Sequence, residues 1–181
     1  MPFQDLSEFR DLDSINGYHE MVEVKKLMTS EEMLTSLRKK SRDNSRTPMQ
    51  WDDSTNAGFS TGTPWIKVNP NYTEINAREQ LQRPDSVFHY YQKLIQLRKQ
   101  HEIIVYGKYE LLDGTNPDVY AYTRTLDNEK LLIVCNFTSK ELDYPIPEMY
   151  KDGSCLISNY PDNTIGNTLR PYEAYVLHIE L

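Results

Sequence analysis

The sequence is poor in the features that mark several large classes of protein. Its 181 residues include two cysteines, too few for a disulfide-stapled scaffold. The seven glycines are scattered, and none builds a glycine-rich loop that could cradle phosphates. The four histidines, His19, His89, His101 and His178, fall into no HxH or HExxH spacing, so neither a metal centre nor any other cofactor is expected. No serine sits in a GxSxG turn. Basic residues are outnumbered, with 20 Lys and Arg against 27 Asp and Glu and a formal net charge of −7. That balance, with no basic patch, argues against a nucleic-acid partner. No apolar run approaches the roughly 18 residues of a membrane span. Residues 1–5 carry neither a basic nor an apolar leader. The expectation is a cytoplasmic protein with no membrane partner.

Aromatic residues, in contrast, are plentiful: 13 Tyr, 5 Phe and 2 Trp. Disordered chains are depleted in them. Short helices are expected over residues 6–12 and 31–40. The second has Thr29 or Ser30 to cap it, acids in its first turn and bases in its last. Residues 41–84 hold Pro48, Pro64, Pro70, Pro84 and both tryptophans, Trp51 and Trp65. This stretch reads as an ordered, packed loop with a short helix near residues 75–81. A longer helix follows, capped by Asp85 or Ser86 and ending near His101. Val87, Tyr90, Tyr91, Leu94 and Leu97 form its apolar stripe.

From Ile103 onward the period changes to that of strands. Residues 119–124 alternate, and residues 130–137 are nearly continuously apolar, as in a strand buried on both faces. Residues 174–181 alternate again. Asp113-Gly114, Asp127-Asn128 and Asp152-Gly153 are turn signals. The strand spacing indicates an antiparallel β-sandwich. The chain is therefore expected to be α+β, helix and loop over residues 1–101 and all-β over residues 102–181.

Chemistry concentrates in the irregular stretch. Asp43, Asp52 and Asp53 lie there, and two carboxylates about 5–9 Å apart can hydrolyse a glycoside. Adjacent Asp52 and Asp53 are more often ordinary turn residues. Arg42, Asp43, Asn44, Arg46, Gln50 and Trp51 are the groups a sugar site uses: planar donors and acceptors for hydroxyls and an indole for the apolar sugar face. They also suit a buried loop whose arginines and acids pair structurally. Cys135 and Cys155 read as reduced core thiols.

Three stretches carry a resemblance. They are Ser41-Arg42-Asp43-Asn44-Ser45-Arg46-Thr47-Pro48-Met49-Gln50-Trp51-Asp52, then Asn56-Ala57-Gly58-Phe59-Ser60, then Pro64-Trp65-Ile66-Lys67-Val68-Asn69-Pro70-Asn71-Tyr72. The pattern continues through Asp85-Ser86-Val87-Phe88 and Leu94-Ile95-Gln96-Leu97-Arg98-Lys99 to Leu169-Arg170-Pro171-Tyr172-Glu173-Ala174. In this order they resemble the α-glucosidase branch of the α-amylase superfamily, which includes oligo-1,6-glucosidases, dextran glucosidases and trehalose-6-phosphate hydrolases. The resemblance implies that residues 1–101 are the helical and loop C-terminal part of a (β/α)8 catalytic barrel and residues 102–181 a C-terminal β domain. A complete barrel takes about 250 residues. The nucleophile Asp, the acid/base Glu and a third Asp of the family belong to motifs upstream of anything here. Asp43, Asp52 and Asp53 therefore do not replace them, and no catalytic residue is expected in this chain.

Arg42 occupies the position of the family's Arg-Asp-Asn arginine. The resemblance implies that it helps bind the terminal glucose and pairs with an upstream carboxylate. Arg46 and Trp51 are expected to pack the loop. The implied parent activity is retaining, exo-acting hydrolysis of short α-1,6- or α-1,4-glucosidic oligosaccharides, with this chain inactive alone. The implied partners are the oligosaccharide, met together with the missing barrel portion, and an N-terminal barrel fragment or a second copy. The alternatives are a trehalose-6-phosphate hydrolase fragment and a non-catalytic β module that binds carbohydrate or a protein.

Overall fold

Side-chain caps decide where the helices begin. Thr29 precedes α2 (Ser30–Lys40); its hydroxyl accepts from the Glu32 N–H while the Glu32 carboxylate accepts from the Thr29 N–H. This reciprocal box satisfies two otherwise orphaned donors. Asp11, Asn76 and Ser86 cap α1 (Leu12–Tyr18), α3 (Ala77–Gln82) and α4 (Val87–Gln100) one way, each side chain accepting from the N–H three residues on. The computed structural model describes residues 1–162 and 164–181. Two compact units emerge, Met1–Pro84 and Asp85–Leu181. This division groups α4 with the sheet. The expected boundary at 101/102 is a division of another kind, between a barrel portion and a β domain.

In the first unit, α2 lays Leu34 and Leu37 against Phe3, Phe9 and Ile66. The rings of Phe3 and Phe9 lie 4.5 Å apart. The helix expected over residues 6–12 is split into a 3-10 turn at Leu6–Glu8 and the start of α1, because Asp5 and Asp11 each cap a separate turn. A π-helical turn, His19–Val24, continues α1; no period in the sequence announces it. Residues 41–76 are irregular apart from 3-10 turns at Arg42–Ser45, Thr55–Gly58 and Pro70–Thr73. Backbone bonds order this stretch. Trp51 N and Asp52 N donate to Ala57 O, Ala77 N to Gln50 O, and Arg78 N to Trp51 O. Gly58 has φ +66°, and a Cβ there would fall 2.8 Å from Asp52 Oδ1. Trp51 and Trp65 are 54% and 57% exposed. The expectation that Trp51 packs the loop is thus corrected: backbone hydrogen bonds hold the loop, and the indole stays outside.

The second unit holds a five-stranded antiparallel sheet, ordered β1 (Lys108–Leu112), β2 (Val119–Leu126), β3 (Glu129–Asn136), β7 (Ala174–Glu180), β5 (Ser154–Ser158). The apolar run in β3 is explained by cover on both faces, Leu132 and Val134 in one core and Ile133 and Cys135 beneath α4. Asp127, at φ +49°, begins the tight connection between β2 and β3. A two-stranded ribbon, β4 (Leu142–Asp143) with β6 (Thr168–Leu169), forms a second, smaller sheet. Val119, Ala121, Leu132, Val134, Tyr175 and Leu177 on one sheet face pack with Leu142 and Leu169 of that ribbon. Ile103 opens no strand; it begins a helical turn, α5 (Ile103–Tyr106), before β1. On the opposite sheet face, Tyr122, Ile133 and Cys135 with Tyr90, Leu94 and Leu97 of α4 line a cavity of about 260 Å³. Among the described residues no helix is long and apolar enough to cross a membrane.

Candidate functional site

Ser41 closes α2 and opens the 3-10 turn Arg42–Ser45, its hydroxyl accepting from Asp43 N at 3.2 Å. That tight turn separates its first two side chains. Asp43 is fully buried, whereas the Arg42 side chain is 56% exposed.

Arg42 meets a carboxylate from a distant part of the chain. Its Nε donates to Asp11 Oδ1 at 2.9 Å, its Nη2 forms an ion pair with the same oxygen at 2.7 Å, and Nη2 donates to Asp13 Oδ2 at 2.5 Å. Asp11 itself is buried and serves as the α1 cap. Its Oδ2 accepts from the Ser14 hydroxyl at 2.8 Å, and the same hydroxyl oxygen lies 2.8 Å from Ser41 Oγ. Asp43 Oδ2 accepts from the backbone N–H groups of Arg10 and Asp11 at 2.6 and 2.8 Å. Arg46 Nη1 approaches Asp11 Oδ1 at 3.4 Å and Asp43 Oδ1 at 3.5 Å. Burial pushes the Asp11 carboxyl upward, but the Ser14 hydrogen bonds and the Arg42 charge together hold it below the usual carboxylate range. The hydrogen bond to Asp11 and the charges of Asp11 and Asp13 raise the Arg42 guanidinium.

The two buried acids are therefore paired with arginines and N–H groups, as a buried charge requires. Beside them the surface forms an open cleft of about 330 Å³ that includes Asp13, Lys40 and Arg42. A guanidinium presented at its edge offers a fixed fork of donors to a hydroxyl pair or a carboxylate.

Asp52 and Asp53 belong to a different network. Asp52 accepts from Ser54 N at 2.9 Å and pairs with Arg78 Nη2 at 2.7 Å; Asp53 pairs with Arg78 Nη1 at 3.0 Å. The Ser54 hydrogen bonds and then Arg78 lower Asp52 to about 2. Both carboxylates close the loop, the role an ordinary turn assigns them. Arg46 pairs with Asp11 and Asp43. The residues that sequence reasoning did not name are Asp11, Asp13 and Ser14. Their local signal is an acid at the cap of a helix, which many helices share. Cys135 and Cys155 are free thiols, half-buried, and burial raises both, which disfavours the reactive thiolate. Among the described residues no group of three His, Cys, Asp or Glu is placed to hold a metal.

Comparison with known proteins places this geometry. Residues 12–107 match the family model of the α-amylase catalytic domain, and residues 119–176 match that of the α-amylase SusG C-terminal domain. The chain is 50% identical over 185 residues to the oligo-1,6-glucosidase of Parageobacillus thermoglucosidasius, covering 99% of this chain and 33% of that protein. It is 44% identical over 183 residues to the trehalose-6-phosphate hydrolase of Bacillus subtilis (strain 168), covering 98% and 32%. The solved structure of the trehalulose synthase MutB from Pseudomonas mesoacidophila MX-45 is similar at a TM-score of 0.91 and 40% identity, covering 99% of this chain and 33% of that one. The chain thus spans about a third of the length of the curated relatives it matches.

Proposed function

This chain belongs to the α-amylase family, and from that premise we propose that it is the C-terminal portion of a retaining, exo-acting α-glucosidase of the oligo-1,6-glucosidase kind. Residues 1–101 complete its catalytic barrel, and residues 102–181 form its C-terminal β domain. The observation that carries this reading is the exposed Arg42 guanidinium, fixed on Asp11 and Asp13 at the edge of a cleft. It lies in a segment that fits the family along its whole length. In this reading Arg42 binds hydroxyls of the terminal glucose. The substrate is a short α-1,6- or α-1,4-linked oligosaccharide.

The chemistry is that of retaining glycosidases: a carboxylate attacks the anomeric carbon while an acid protonates the leaving oxygen, and water then releases the covalent intermediate. Nucleophile and acid come from the part of the parent protein outside these 181 residues. The chain by itself therefore lacks turnover. Purified residues 1–181 are expected to release no p-nitrophenol from p-nitrophenyl α-glucoside, and measurable release that survives repurification would overturn this.

The natural partner in this reading is the remaining barrel portion. On α4, Val87, Phe88, Tyr91 and Ile95 are exposed, a stripe of apolar side chains that fits a surface awaiting cover. The two free thiols fit a reducing compartment, and a cytoplasmic location is part of the proposal. The similarity to a trehalose-6-phosphate hydrolase favours a second reading, in which the substrate carries a phosphate. Activity of the parent protein on isomaltose against trehalose 6-phosphate separates the two.

A further inference from the structure

A guanidinium on a long, flexible stem recognises a hydroxyl pair well only if its orientation is set before the sugar arrives, because ordering it on binding costs side-chain entropy. Two buried acids adjoin Arg42 in different ways, Asp11 through its guanidinium and Asp43 as the next residue of the chain. We infer that Asp11 and Asp43 are positioning residues that act in series: Asp11 grips the Arg42 guanidinium, and Asp43 grips the backbone that carries Asp11.

The connections run both ways between residues 10–14 and residues 41–46. Asp11 Oδ1 accepts from Arg42 Nε at 2.9 Å and lies 2.7 Å from Nη2 as an ion pair. Its other oxygen is saturated by Ser14, whose hydroxyl oxygen is 2.8 Å from that of Ser41, the residue before Arg42. Asp43, the residue after Arg42, spends Oδ2 on the N–H groups of residues 10 and 11. The remaining oxygen of Asp43 faces Arg46, which lies 3.5 Å from it and 3.4 Å from Asp11. Arg46 is thus shared by both acids and balances the second negative charge. The ring closes through residues 31 to 33 positions apart, so neither segment can rotate without breaking a charged hydrogen bond in the other. The Arg42 side chain stays 56% exposed beside the cleft. The value of this arrangement to a sugar rests on the glucosidase reading; the clamp itself does not.

The test is therefore made on the clamp. In ¹⁵N-labelled residues 1–181, the Arg42 Nε–Hε signal is assigned by its loss in Arg42→Lys, and its exchange with solvent is measured. The wild-type rate is expected to be slow relative to exposed arginines such as Arg98. Asp11→Asn should raise it about tenfold or more, the weight of a charged hydrogen bond. Asp43→Asn should raise it by a smaller factor, although Asp43 donates nothing to and accepts nothing from that group. Backbone signals outside residues 10–14 and 41–46 should keep their positions, which a merely structural loss would not allow. A wild-type rate equal to that of exposed arginines, or no change in Asp11→Asn, overturns the role of Asp11. No change in Asp43→Asn overturns the role of Asp43.

If Asp11→Asn loses the fold of residues 1–84, the wild-type chain decides. On acidification, Arg42 exchange, referenced to an exposed arginine, should accelerate with the midpoint of the Asp11 carboxyl carbon; Arg46, Asp13 and Asp43 are the other charged side chains of the network. A different midpoint refutes the clamp. Sugar turnover enters none of these readings, so a failed clamp and a failed glucosidase assignment remain separate results.

Discussion

Residues 1–84 and residues 85–181 are stabilised by different chemistry. The first unit buries Phe3, Phe9, Leu34, Leu37 and Ile66 as its apolar cluster, and beside it buries the charged or polar Asp11, Ser14, Ser41, Asp43 and Asn76. The second builds its core from alternate residues of three neighbouring strands, with Tyr150, Leu142 and Leu169 added. In the first unit, side-chain carboxylates satisfy backbone N–H groups that no helix or strand satisfies, as Asp43 does for residues 10 and 11. In the second, the ladder satisfies those of the sheet, and the buried Glu173 carboxylate accepts from Arg170 N beside it. The difference teaches that the first unit leans on its acids along an irregular backbone, whereas the second rests chiefly on apolar area and strand register, with the Arg170–Glu173 pair added at one place. The candidate site lies wholly in the first unit.

The largest effect that could break this contrast comes from the sheet. Leu132→Ala removes a fully buried side chain from the central strand β3 and is expected to cost roughly 2–5 kcal/mol. Amide exchange of β2, β3 and β7 should accelerate together, while protection in α2 remains. Equal loss in α2 would mean that the two units unfold as one.

Acid should act in the opposite sense. Asp11 is held below the usual carboxylate range and Asp52 at about 2. A depressed native value means that stability is present above the ordinary carboxylate pKa of about 4 and is lost as pH falls through the native values. The first unit is therefore expected to loosen between about pH 4 and pH 2, before the sheet does. Both tryptophans lie in the first unit, so tryptophan fluorescence followed against β-sheet circular dichroism reports the order directly. Coincident transitions would remove the distinction.

The smallest effect sharpens it. Thr29→Ala deletes half of the α2 capping box and should lower the stability of the first unit by about 1 kcal/mol. Thermal unfolding monitored by tryptophan fluorescence measures it. A shift below detection would assign the start of α2 to tertiary packing of Leu34 and Leu37.

Much of this architecture could be read locally. Thr29 and Ser86 mark the starts of α2 and α4, the apolar run of β3 marks a strand flanked on both sides, and Asp127-Asn128 marks its hairpin. Expectation and structure part where local signals compete. Asp5 and Asp11 break one expected helix into two turns, and the π-helical turn after α1 has no periodic signature. At Ile103 a β-branched pair reads as strand but winds into α5. Trp51 looks like a packing residue by composition yet stays outside, since the loop closes through backbone bonds to Ala57 and Arg78.

At the site, the motif around Arg42 is visible in the sequence, and so is the family. Caps, periodicity and turn residues act over a few positions, so the sequence by itself determined α2, α4, the long strands and the arginine. It could not determine which acids surround that arginine. Asp11, Asp13, Asp43, Asp52 and Asp53 are chemically alike, and their fates diverge only when the chain brings residues some 31 to 33 positions apart into hydrogen-bond range. Burial then turns Asp11 and Asp43 into a paired support for Arg42 and leaves Asp52 and Asp53 to close a loop with Arg78. Only the tertiary structure decides this, because desolvation and charge pairing are properties of the assembled surroundings rather than of the residue.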